Sequence, residues 1–212
     1  MEELSSAVRM APTKREGIMT MKTIAPVLLA LALGGCGTTA VLEPGSTKTI
    51  EPDESLIVMG VNPGYRVMVV PGEIVGGQFK QGGFATAVIN GAATDGYVVA
   101  KARAGQVLGL TSVTARDEGL FGRAYTACGG ARVPVFHVPK GQILYLADIR
   151  YEPSGGRSLN IRYEDRLEAA AAFVRKQYPQ FQGNLQRTRV EALPMAGICQ
   201  PNIIYIPIYV GR

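Results

Sequence analysis

The sequence predicts a mainly β protein: an antiparallel β-sandwich with one α-helix in its C-terminal half, preceded by a signal helix and a flexible tether. Three observations predict it. Apolar runs of about 5–8 residues recur from Leu56 to Tyr163 with Gly, Pro, Asn and Ser clusters between them, the pattern of short strands joined by turns. One stretch alone, 165–179, repeats apolar residues at helical spacing. Ahead of the first strand, 37–54 is rich in Gly, Pro, Thr and charge and poor in apolar residues.

Taken in order, Leu56–Val61 is a continuous apolar run, a buried strand, and Asn62-Pro63-Gly64 turns it. Arg66–Val70 follows and Pro71-Gly72 stops it; Ile74–Phe79 is a weaker strand broken at Gly76-Gly77. The Gly-, Ala- and Thr-rich stretch 81–96 reads as a long loop or a poorly specified strand. Tyr97–Ala102 and Gln106–Val113 are predicted to form a hairpin across Arg103-Ala104-Gly105, and Ala124–Cys128 is a further short strand ending at Gly129-Gly130. Val133–Val138 and Gln142–Tyr151 flank Pro139-Lys140-Gly141. In the second of these, strict alternation puts Ile143, Tyr145, Ala147 and Ile149 on one face, and Leu144, Leu146 and Asp148 on the other. Ser154-Gly155-Gly156 turns the chain and Leu159–Tyr163 pairs back.

Asp165 and Glu168 resemble a capping box with Asp in the Ser/Thr role. Leu167, Ala170, Ala171, Val174 and Tyr178 then form one apolar helical face, and Pro179 stops the helix. Such a stripe reads as core packing over a sheet edge or the sandwich mouth. The arm 180–212 is polar to about Arg189 and turns apolar at Ile203–Val210, where Pro207 confines the strand to an edge or bulge. That strand either completes the domain's own sheet or adds to a partner's edge.

The N-terminus speaks to location. Met21–Cys36 has one lysine (Lys22), an apolar run of 10 residues from Ile24 to Leu33, and then Gly34-Gly35-Cys36. Ten residues are half of the roughly 20 that a membrane span needs, and Pro26 and Gly34-Gly35 suit a span poorly. A short basic start, an apolar run and small residues before a cut site make a secretory signal. This one resembles a bacterial lipoprotein signal, with Leu33-Gly34-Gly35-Cys36 as its lipobox. That resemblance implies cleavage before Cys36 and lipid on its sulfur, an anchor of three acyl chains, more than the two signals that stable anchoring takes. Gly37 rather than aspartate follows the cysteine, which by resemblance to the lipoprotein sorting rule implies the outer membrane, with the domain facing the periplasm. Glu2, Glu3 and Glu16 put acid where a signal is basic, so translation is expected to start at Met21.

The expected organisation is therefore an extension and signal over 1–35, the lipidated Cys36 and tether over 36–54, a sandwich with its helix over 55–179, and the arm over 180–212. Removing 1–35 leaves 177 residues with 18 basic against 14 acidic side chains, a charge of +4. The basic residues are scattered rather than blocked, which argues against a nucleic-acid surface. With Cys36 lipidated, Cys128 and Cys199 remain in an oxidising compartment, either as a disulfide or as two separate thiols.

The order Val138-Pro139-Lys140-Gly141-Gln142, strand, Gly-Gly turn, strand and helix ending Gln177-Tyr178-Pro179 carries a family likeness. Pro139-x-Gly141-x-x-x-Tyr145, with Val70-Pro71-Gly72 upstream, resembles small bacterial outer-membrane lipoproteins of unknown function with an immunoglobulin-like β-sandwich. The resemblance implies no catalytic residues and no cofactor.

Chemistry is sparse. The one histidine, His137, sits between Phe136 and Val138 in a strand; Glu164-Asp165 open a helix; Asp117-Glu118 adjoin Gly119 in a turn. None has the partners that nucleophilic, glycosidase or phosphate chemistry needs, and two cysteines with one histidine make no metal site. The expected function is a non-enzymatic, lipid-anchored envelope protein, held to the membrane by lipid on Cys36 and acting on a protein partner or peptidoglycan. Two other readings stand beside it. One is a secretion or surface-structure component using its C-terminal strand. The other is an envelope hydrolase or small-ligand carrier, with His137 as its best candidate residue.

Overall fold

The computed structural model describes residues 41–82, 87–115, 122–154 and 159–199. The predicted signal, the lipobox and Cys36, Asp117-Glu118 and the strand Ile203–Val210 lie outside the described residues.

Among the described residues, twelve strands and one helix follow one another: β1 (Glu54–Asn62), β2 (Arg66–Val75), β3 (Gln78–Gln81), β4 (Ile89–Ala92), β5 (Tyr97–Arg103), β6 (Val107–Ala115), β7 (Arg123–Thr126), β8 (Arg132–His137), β9 (Ile143–Pro153), β10 (Leu159–Glu164), α1 (Leu167–Gln177), β11 (Leu185–Arg187) and β12 (Val190–Pro194). They build a two-sheet β-sandwich with one helix. The first sheet runs β10-β9-β1-β5, with β11 sharing the β10 side of β9; the second runs β12-β8-β6-β2-β3, with β4 beside β2 and β7 beside β6.

The expectation of purely antiparallel sheets needs correction. The second sheet pairs antiparallel between its named strands, but β1 and β11 both run parallel to β9. Both pairings join segments distant in the chain, which local turn signals do not record. The expected hairpin of Tyr97–Ala102 with Gln106–Val113 is a second correction: β5 pairs with β1 and β6 with β2, so 104–106 crosses from one sheet to the other. Pro71-Gly72 does not stop β2, because Gly72–Val75 goes on to pair with β3, and Gly76-Gly77, both at positive φ, form the hairpin turn. The stretch 81–96, read as a long loop or a poorly specified strand, holds the short strand β4, and the arm contributes β11 and β12.

The core lies between the sheets. Ile57, Met59, Val67, Val69, Leu108, Phe136, Leu144 and Ile149 pack there. A second cluster covers the outer face of the first sheet, where Ala170, Val174 and Tyr178 of the helical stripe meet Leu56, Val58, Ile143 and Tyr145. A third surrounds Phe79: Met195 bridges to Phe79, and the Ala196 N–H donates to the Phe79 carbonyl at 2.8 Å. The second sheet therefore curls until β12 meets β3.

Three local devices set the framework. Buried Ser55 donates its hydroxyl to the Pro139 carbonyl at 2.6 Å and accepts the Gln142 N–H at 2.9 Å, which pins the Pro139-Lys140-Gly141 turn to β1. Cys128 and Cys199 form a disulfide with Cα atoms 4.9 Å apart. Closing a loop with a sequence separation of 71 restricts the unfolded chain by about 4 kcal/mol in the chain-entropy account. The third device overturns the flexible tether. Val41 bridges Ala100, and the Leu42 N–H donates to the Val99 carbonyl at 2.8 Å. The Leu42 carbonyl accepts the Tyr178 hydroxyl at 2.9 Å. From Val41 onward the segment is a strap along the open edge of β5, with Leu42 buried. No helix among the described residues is long and apolar enough to cross a membrane.

Candidate functional site

The sandwich departs from regular pairing at a point that creates a cleft. Val58 pairs with Tyr145 but Gly60 pairs with Asp148, so β9 carries one extra residue. A bulge of this kind reverses the alternation of the strand beyond it. Leu144 and Leu146 face the inter-sheet core before the bulge, and Ile149 and Tyr151 face it after. Asp148 therefore comes to the same outer face as Tyr145. Strict alternation had placed Asp148 with Leu144 and Leu146; burial of Ile149 and Tyr151 is what outweighs it, since moving the bulge would drive both side chains out of the core.

Asp148 lies over Gly60, where a Cβ would fall on its carboxylate. The buried Tyr145 hydroxyl donates to Asp148 Oδ1 at 2.8 Å and accepts the Arg166 N–H at 2.8 Å. One phenol thus ties the carboxylate to the start of α1. Arg166 Nη1 stands 3.7 Å from Asp148 Oδ2, and Arg150 Nε stands 3.7 Å from Glu164 Oε1. With Asp95 and Gly96 from the β4–β5 connection and Tyr97 at the start of β5, Gly60, Asp148, Arg150, Glu164 and Arg166 line a cleft of about 400 Å³. A smaller groove of about 200 Å³ lies between α1 and β11, lined by Leu167, Val174, Phe181 and Leu185 among others.

Burial pushes the Asp148 carboxyl above the usual aspartate range; the Tyr145 hydroxyl and Arg166 pull it back, and Glu164 and Asp165 push it up. Burial likewise raises the Tyr145 phenol. A carboxyl raised on folding holds its proton to higher pH in the native chain than in the unfolded chain. Its contribution is therefore present at low pH and is lost as pH rises through the folded value. Asp148→Asn keeps an acceptor for Tyr145 and removes that loss. The melting temperature of the variant relative to wild type is expected to climb as pH rises from the ordinary aspartate range and to level above the raised value of the folded protein. Parallel thermal melts across that range test it, and a constant difference contradicts it.

The cleft's lining holds carboxylates, guanidiniums and a phenol, but neither serine, cysteine nor histidine. Such a surface can complement charged groups of either sign. His137 is exposed at the end of β8 in the other sheet, paired with Val107. Asp165 lies outside the cleft lining, where its carboxylate meets Arg187 Nε at 2.8 Å. Its other oxygen accepts the Leu167 N–H at 3.3 Å, while Arg166 is the N-cap and no side chain caps the helix, so the expected Asp165–Glu168 capping box is not formed. Glu164, read from the sequence as a helix opener, lines the cleft. Asp148 was missed as a site residue. Its signal was a lone carboxylate inside the apolar strand Ile143–Tyr151. Among the described residues no cluster of His, Cys, Asp and Glu could hold a metal ion.

No family model, curated protein or solved structure matches the chain.

Proposed function

We propose that this protein is a non-enzymatic, lipid-anchored component of the bacterial outer membrane. On this reading its periplasmic domain acts through contacts with a protein partner or the cell wall. The observation that carries the reading is the signal Met21–Cys36 ending in Leu33-Gly34-Gly35-Cys36, with a folded domain beginning only five residues later at Val41. A secretory signal directly followed by a sandwich suits an anchored envelope module. The cleft at Asp148 supports binding over catalysis, because Arg150 and Arg166 are paired with Glu164 and Asp148 and no serine, cysteine or histidine nucleophile stands beside a base in its lining. It offers a partner both signs of charge within one concave surface.

Cell fractionation of a Cys36→Ala variant tests the anchor. The variant is expected to leave the outer membrane for the soluble or inner-membrane fraction. Unchanged recovery with the outer membrane overturns the proposal.

A further inference from the structure

The strap bears on how an anchored domain would sit. Val41 faces inward, its methyl groups over Gly91 of β4, while Leu42 faces outward under α1, so the two side chains alternate as in a strand. Gly45 N–H donates to the Gln177 carbonyl at 3.1 Å, and the Gln180 side-chain amide reaches the Ser46 carbonyl. Detaching the strap would expose Leu42, strip the buried Tyr178 hydroxyl of its acceptor and open the β5 edge. The strap is thus part of the fold, and only residues 37–40 separate it from Cys36.

The five Cα steps from Cys36 to Val41 span at most about 18 Å when fully extended, and about 12 Å when relaxed. A domain of this size has a radius of gyration of about 16 Å. A leash far shorter than the domain's diameter, which is at least twice that radius or about 32 Å, does not let the domain turn over. On the reading that Cys36 carries lipid, we propose that the β4–β5 edge, where the strap docks, is a membrane-facing surface resting on the lipid headgroups. The β10 edge lies at the other end of the first sheet, four strand spacings from the strap, or about 19 Å. It faces away from the bilayer and displays Ile161 and Tyr163, 38% and 48% exposed, on a strand whose outer edge no other strand pairs among the described residues. Partners of the anchored protein would meet that side.

The test uses the full lipidated protein with a single added cysteine, at exposed Glu43 on the strap (Glu43→Cys) or exposed Asn160 on β10 (Asn160→Cys), labelled with a fluorophore. Each is reconstituted into phosphatidylethanolamine–phosphatidylglycerol vesicles whose headgroups carry a nitroxide quencher. The probe at 43 is expected to lose most of its emission, and the probe at 160 to keep most of its own. Inserting about twenty Gly/Ser residues after Gly37 lengthens the extended leash past the domain's diameter and is expected to erase the difference. Vesicle flotation separates the two claims. A protein that does not float with the vesicles overturns the anchor and the seating together. One that floats but is quenched equally at 43 and 160, or that keeps the difference with the long leash, overturns the seating alone.

Discussion

Replacing Gly60 with alanine is expected to destabilise the domain by about 2–4 kcal/mol. Gly60 pairs with Tyr97 on one side and Asp148 on the other, and the Asp148 carboxylate occupies the space that a Cβ would need. The new methyl group forces that carboxylate aside. Doing so breaks its bond with the Tyr145 hydroxyl, the group that also holds the Arg166 N–H. For a domain of this size the loss corresponds to a melting temperature lower by roughly 5–15 °C. Asp148→Ala made in the Gly60→Ala background removes the clash, so the double variant is expected to be more stable than the sum of the single effects. Thermal melts of the four proteins read this directly, and an unchanged melting temperature for Gly60→Ala would contradict the arrangement.

The largest loss from one side chain is expected at Phe79. Phe79→Ala removes a fully buried ring, at a cost of about 3–5 kcal/mol. The ring lies across Gly72 and Gly109, where added Cβ atoms would approach it to 2.6 Å and 2.5 Å, and it packs with Val70, Val133, Val135 and Met195. These two glycines are needed for space rather than for backbone freedom. Gly109→Ala alone is therefore expected to destabilise, whereas Gly109→Ala added to Phe79→Ala partly fills the cavity and recovers stability. Urea titration of the three variants checks this order. A double variant weaker than Phe79→Ala alone would contradict it.

Much of the sandwich was legible because its strands are apolar runs cut by Gly and Pro. Leu56–Val61, Tyr97–Ala102 and Leu159–Tyr163 lie within strands, as does Val133–Val138 up to His137, and the stripe ending at Tyr178 marks the helix that covers the first sheet. What was not legible is non-local. The short link after β5 looks like a hairpin turn whether its flanking strands pair or cross between sheets. Of the two parallel neighbours of β9, β1 lies more than eighty positions away in the chain and β11 about forty. The strap offers only Val41 and Leu42 as apolar residues before Pro44, too few for any period to show. β11 and β12 are half exposed and carry mixed side chains, so their pattern is weak.

The candidate site fell in the same gap. No Gly or Pro marks the bulge between Tyr145 and Asp148, and a slip of one residue there changes which face Asp148 takes. The fit of Asp148 over Gly60 joins two strands that the sequence does not connect. Glu164 joins the cleft through the pairing of β10 with β9, opposite Asp148, and Arg166 joins it through Tyr145, which ties the start of α1 to β9.

Intact mass measurement of the protein extracted from envelope membranes tests the central claim most directly. The account predicts a chain beginning at Cys36, carrying the mass of three acyl chains and two hydrogens short for the Cys128–Cys199 disulfide. A chain that retains the residues before Cys36, or an unmodified Cys36, would contradict it.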